Sequence, residues 1–130
     1  MPATRRQSVP TLLAISDERL RDGLRVMLAA APSVLDVEAL ATSEGLADWL
    51  DGHAEGLVIF DFEALEAADR ALAQLKARRP RVRYMVIAGN LTQLGLARQA
   101  GADVALLSGF SSQELLEAIQ TVLNRRLQRS

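Results

Sequence analysis

Four carboxylates stand where chemistry is feasible: Asp17 and Glu18 after one short apolar run, Asp61 and Glu63 after another. Asp17 and Glu18 either ligate a metal or, as acids just ahead of a helix, stabilise its N-terminal dipole. Ser108 offers a hydroxyl to an anion or is an ordinary loop serine. Asn90 has the type and place of a helix cap. The single histidine, His53, lies among Asp51, Gly52 and Glu55 and reads as a solvated helix-end residue. With no cysteine and no second histidine, no imidazole or thiolate metal set can be completed. The chain carries no G-x-G-x-x-G, no Walker A sequence and no G-x-S-x-G elbow.

The elements that position these residues are legible from apolar patterning. Thr11–Ile15, Val34–Leu40, Leu57–Phe60, Tyr84–Ala88 and Val104–Leu107 are short continuous apolar runs, the pattern of strands buried on both faces. Between them lie helical periodicities. Leu20, Leu24, Met27 and Leu28 share one face, as do Leu46, Trp49 and Leu50, and Ala68, Leu72 and Leu75. The last helix carries Leu115, Leu116, Ile119, Val122 and Leu123. Pro32 and Pro80 follow the first and third helices. Gly101 favours a left-handed stop after the fourth, and Ser111 with Glu114 has capping-box spacing.

Strict βα alternation predicts an α/β fold with a five-stranded parallel, doubly wound sheet. Ligands of such sheets bind beyond the carboxyl ends of the strands. That places Ser16–Glu18, Asp61–Glu63, Ala88–Asn90 and Ser108–Phe110 together. A small-molecule site there is one reading of the chain.

The 130 residues suit one domain, taken as 10–125 with flanks 1–9 and 126–130. A net charge of −1 gives no general attraction to nucleic acid or to anionic membranes. No apolar run approaches the ~20 residues of a membrane span, and no signal-peptide pattern follows Arg5 and Arg6. A cytoplasmic location is expected. Lys76, Arg78, Arg79, Arg81 and Arg83 form a basic cluster, read as a solvated loop. Arg125, Arg126 and Arg129 lack the interleaved aromatics of a nucleic-acid surface.

Several segments resemble CheY-like receiver domains of response regulators, over about residues 10–125. Gly56-Leu-Val-Ile-Phe-Asp61-Phe is similar to their third strand, and Ala100-Gly-Ala-Asp-Val-Ala-Leu-Leu-Ser108 to their fifth. Phe110-Ser-Ser-Gln-Glu-Leu-Leu-Glu-Ala-Ile119 resembles the start of their final helix. Arg21-Asp-Gly-Leu-Arg-Val-Met-Leu, with Ala31-Pro32 after it, is similar to the first helix of receivers that precede helix-turn-helix output domains. The resemblance implies strand order 2-1-3-4-5. It also implies an aspartate that accepts a phosphoryl group from a histidine kinase, with Mg²⁺ held by that aspartate and an acidic pair.

Carried over position by position, Asp61 is the phosphoacceptor candidate, and Asp17, Asp61 and Glu63 are the candidate ligands of a weakly held Mg²⁺. The acidic pair falls on Ile15 and Ser16, or on Ser16 and Asp17 if one loop residue is missing. The switch hydroxyl falls on Ala88, the fifth-strand aromatic on Ala105 and the lysine on Ser108. The resemblance thus implies a degenerate, non-enzymatic receiver that signals by protein–protein contact. Its expected partner is a histidine kinase or an output protein, with a possible homodimer through helix 4, strand 5 and helix 5. Nucleic acid would be reached only through an output domain outside this sequence. The alternative is a working receiver phosphorylated on Asp61.

Overall fold

The computed structural model describes residues 9–31, 34–40, 44–64 and 67–128. Five strands and five helices alternate along the chain: β1 Val9–Ala14, α1 Glu18–Ala29, β2 Val34–Leu40, α2 Leu46–Asp51, β3 Gly56–Asp61, α3 Ala68–Arg78, β4 Val82–Ala88, α4 Leu91–Gln99, β5 Val104–Leu107 and α5 Ser112–Gln128. The strands pair in parallel in the order β2-β1-β3-β4-β5, as expected. β1, β3 and β4 begin one or two residues ahead of their apolar runs, because backbone pairing does not stop where hydrophobicity does. No described helix is long and apolar enough to cross a membrane. Pro32 and the segments 1–8 and 129–130 lie outside the described residues.

Successive strand side chains point to opposite faces, so every strand feeds two cores. Leu12, Val58, Phe60, Tyr84, Val86 and Ala105 pack with Trp49, Leu72 and Ala97 on the side covered by α2, α3 and α4. Leu13, Leu57, Ile59, Met85 and Ile87 pack with Leu24, Leu28, Leu115, Ile119 and Val122 on the side covered by α1 and α5. Each fully buried aliphatic or phenyl side chain contributes about 1.5–3 kcal/mol by leaving water.

Local chemistry fixes the ends. The Asn90 carboxamide oxygen accepts from Gln93 N at 2.9 Å and caps α4. Ser111 and Glu114 form the reciprocal capping box, with bonds of 2.8 and 3.1 Å. Gly101 ends α4 at φ 101°. Within β1, Pro10 has no N–H to donate. The β1–β2 register slips at that point, from Pro10 opposite Leu35 to Thr11 opposite Val37. Asp36 bulges from β2 at φ 48°.

Three residues of the basic cluster are tied down. Lys76 bonds both oxygens of Asp103 at 3.0 and 3.1 Å, and Arg83 lies 3.9 Å away. Arg79 pairs with Asp51 at 2.6 Å. Asp103 also accepts from Tyr84 N at 2.8 Å. Burial pushes the Tyr84 phenol up to about 12, so it stays neutral at ordinary pH. Asp103→Ala leaves two cations and a backbone amide facing a gap. An expected loss of about 2–3 kcal/mol follows, smaller than for a wholly buried pair, and urea unfolding will measure it.

Candidate functional site

The site is a cleft of about 170 Å³ at the carboxyl ends of β1, β3 and β4, lined in part by Ser16, Asp17, Asp61, Glu63, Gln93 and Ser108. β3 delivers Asp61 at its last position, next to Ile87 of β4 in the register. The β1–α1 loop, Ile15–Asp17, crosses in front of it. Ile15 is wholly buried among the α1 and α5 contacts. Ser16 therefore stands at Asp61. Its hydroxyl donates to Asp61 Oδ2 at 2.8 Å, and its amide lies 3.4 Å from both carboxylate oxygens. On the other side, Ala64 N donates to Asp61 Oδ1 at 2.8 Å.

Asp17 lines the same cleft, but one of its oxygens is taken by the helix that follows. Its Oδ1 accepts from Arg19 N at 2.9 Å and Leu20 N at 3.4 Å and caps α1. Arg21 reaches back from α1 and donates to the Ile15 carbonyl at 2.9 Å. Sequence reading did not anticipate this link, because nothing in the type or spacing of Arg21 marks it out. Across the cleft, Gln93 Oε1 accepts from Gly89 N at 2.8 Å, and Ser108 N donates to Ala88 O at 2.8 Å. Ala88 is fully buried and Ala105 nearly so.

The structure thus brings Ser16, Asp17, Asp61, Glu63 and Ser108 to one cleft, with Ala88 under the strand ends. Ala105 is part of the core beneath α4. His53 is elsewhere. It stacks on Trp49 with ring centroids 4.2 Å apart, and its Nδ1 lies 2.7 Å from the Trp49 carbonyl oxygen. It is half-buried rather than the solvated residue expected, because the indole gives its ring a face to cover.

The electrostatics of the cleft follow from its lining: three carboxylates and no lysine or arginine among the described residues. Two like unit charges 4 Å apart repel by about 4 kcal/mol at the effective dielectric of a protein surface. A phosphoryl dianion entering here meets that repulsion with no cation to offset it. The donor set does not fit a divalent cation either. Both Asp61 oxygens and one Asp17 oxygen already accept hydrogen bonds. Among the described residues no three carboxylate or imidazole groups converge as a metal site.

No family model and no curated protein matches the sequence. Solved structures do match the fold. A response-regulator receiver domain protein from Clostridium thermocellum superposes with a TM-score of 0.79 at 19% identity, over 94% of this chain and 99% of that one. A LuxR-family DNA-binding response regulator from Silicibacter pomeroyi gives 0.74 at 24% identity, over 90% and 93%. A protein described as pilus assembly-related, from Burkholderia pseudomallei, gives 0.75 at 18% identity, over 92% of each chain. With its sheet order and strand-end cleft, the chain has the fold of CheY-like response-regulator receiver domains.

Proposed function

We propose that this chain is a receiver-type signalling module that acts through protein–protein contact and does not depend on phosphoryl uptake at Asp61. One observation carries the reading. The Asp61 carboxylate is already engaged by Ser16 and Ala64, in a cleft whose described lining holds no cation. Hydrogen bonds to a carboxylate draw off the charge that makes it a nucleophile, and phosphoryl transfer also needs a cation for the charge received. The expected lysine position, Ser108, supplies neither charge nor a bond of comparable strength. Ala105 has no ring with which to relay a rotamer change.

The surface for contact is α4, β5 and α5. Leu91 is 72% exposed and Leu107 41%. Both lie at the same end of the sheet, since Leu107 pairs with Ala88 and Leu91 follows three residues later. The partner is a histidine kinase, an output protein or a second copy of the chain. The structural relatives include a DNA-binding regulator. Contact with nucleic acid would therefore come through an attached output domain rather than through this one.

The competing reading, phosphorylation on Asp61 with Mg²⁺ on Asp17 and Glu63, is favoured by the aspartate's place at the end of β3. In it the ion and the phosphoryl group share carboxylates that already accept bonds from Ser16, Ala64 and the first turn of α1. An NMR titration with Mg²⁺ and then beryllofluoride separates the two. The expected result is no shift at millimolar ligand. Shifts centred on Asp61 and spreading to Ala105 and α5 would sink the proposal.

A further inference from the structure

The β1–α1 loop has three residues, and each is fixed differently. Ile15 N donates to Leu40 O at 3.0 Å, and its carbonyl accepts from Arg21. Asp17 is held by the first turn of α1, which it caps. Ser16, between them, is exposed, and its amide and hydroxyl both point to Asp61. Asp61 lies 45 residues further along the chain. On the opposite side of the same carboxylate, Ala64 N donates from the loop after β3. One carboxylate therefore bridges two loops, and three donors converge on it as they would on a free anion.

We propose that Asp61 is a positioning residue: its carboxylate is a built-in anion that latches the β1–α1 loop to the end of β3. This rests on the reading of Asp61 as a residue that does not take up phosphoryl groups, and it names what the carboxylate does instead. The latch holds the N-terminal end of α1 against the sheet. The Ser16 hydroxyl competes for the oxygen that any incoming group would need. Loop order is then set by one contact, and a partner that inserts a hydrogen-bond donor at Asp61 would release the loop.

An anion held by a nest of donors can be replaced by a diffusible one of the same shape. In Asp61→Ala, amides 15–20 and 62–64 will exchange with solvent about tenfold faster than in the unaltered protein, the effect of losing a charge-assisted hydrogen bond. Formate in large excess will restore most of that protection, and chloride at equal ionic strength will not. Ser16→Ala keeps the carboxylate and loses only the hydroxyl. It will show a smaller acceleration that formate does not reverse. Unchanged exchange in either variant, or formate acting no better than chloride, overturns the latch. If Asp61→Ala does not fold, Ser16→Ala decides alone. Phosphoryl uptake by the unaltered protein would overturn the proposed function and leave the exchange result as it stands, so the two failures are told apart.

Discussion

Replacing Gly56 by valine will destabilise the domain by about 3–5 kcal/mol, enough to approach the whole stability of a marginal domain. A Cβ at this position would lie 2.7 Å from the Trp49 ring and 2.9 Å from the Pro10 carbonyl oxygen. The carbonyl belongs to β1, inside the sheet, and cannot yield without breaking strand pairing. The indole must move instead. It is 6% exposed and packs into the core beneath α2, so its displacement opens a void. Even Gly56→Ala meets both contacts. Thermal unfolding followed by circular dichroism measures the effect. A valine variant that melts within a few degrees of the unaltered protein would show that α2 can slide, and that Trp49 is not held as described.

The second large effect is a gain. The double variant Ser16→Asp, Ser108→Lys will bind beryllofluoride with Mg²⁺ about a hundredfold more tightly than the unaltered chain. The first change supplies a metal carboxylate beside Asp61 and removes the hydroxyl that occupies its oxygen. The second supplies the missing positive charge, and each charge-assisted bond is worth about 1.5–3 kcal/mol. Without Mg²⁺ the variant will be less stable, because two carboxylates then face each other where a hydrogen bond stood. Calorimetric titration reads the affinity. If the variant gains nothing, substitution at Ser16 and Ser108 is not what blocks the cleft, and the burial of Ala88 or the set of the α4 loop must be responsible.

Much of this architecture was legible in the sequence. Unbroken apolar runs such as Leu57–Phe60 mark strands covered on both faces, and the helical stripes mark what covers them. The caps at Asn90 and Ser111 were legible because their chemistry is local, completed within three residues. What was not legible depends on contacts between distant segments. Whether Ile15 and Ser16 or Ser16 and Asp17 faced Asp61 could not be fixed from a three-residue loop without periodicity. The buried position of Ile15 places Ser16 there. The Ser16–Asp61 bond joins two loops with no signal in either. The basic cluster reads as a solvated loop, yet Asp103 gathers Lys76 from 27 residues away and stands 3.9 Å from Arg83, so part of that cluster is internal structure. The contact of Trp49 with Gly56 was invisible because a glycine at a strand start has several explanations, and only the indole over it selects one.

The bulge at Asp36 has a consequence beyond the pairing of β1 with β2. β2 is an outer strand of the sheet, and an outer strand presents unpaired amides and carbonyls to any passing chain. A straight strand of seven residues there would be a template for sheet growth from molecule to molecule. Asp36, with φ at 48° and its charge exposed, bends that row out of line. At the other margin β5 has only four residues, too few to recruit a neighbour firmly. Both margins of the sheet thus resist growth by backbone pairing, which leaves side chains as the means of contact between molecules.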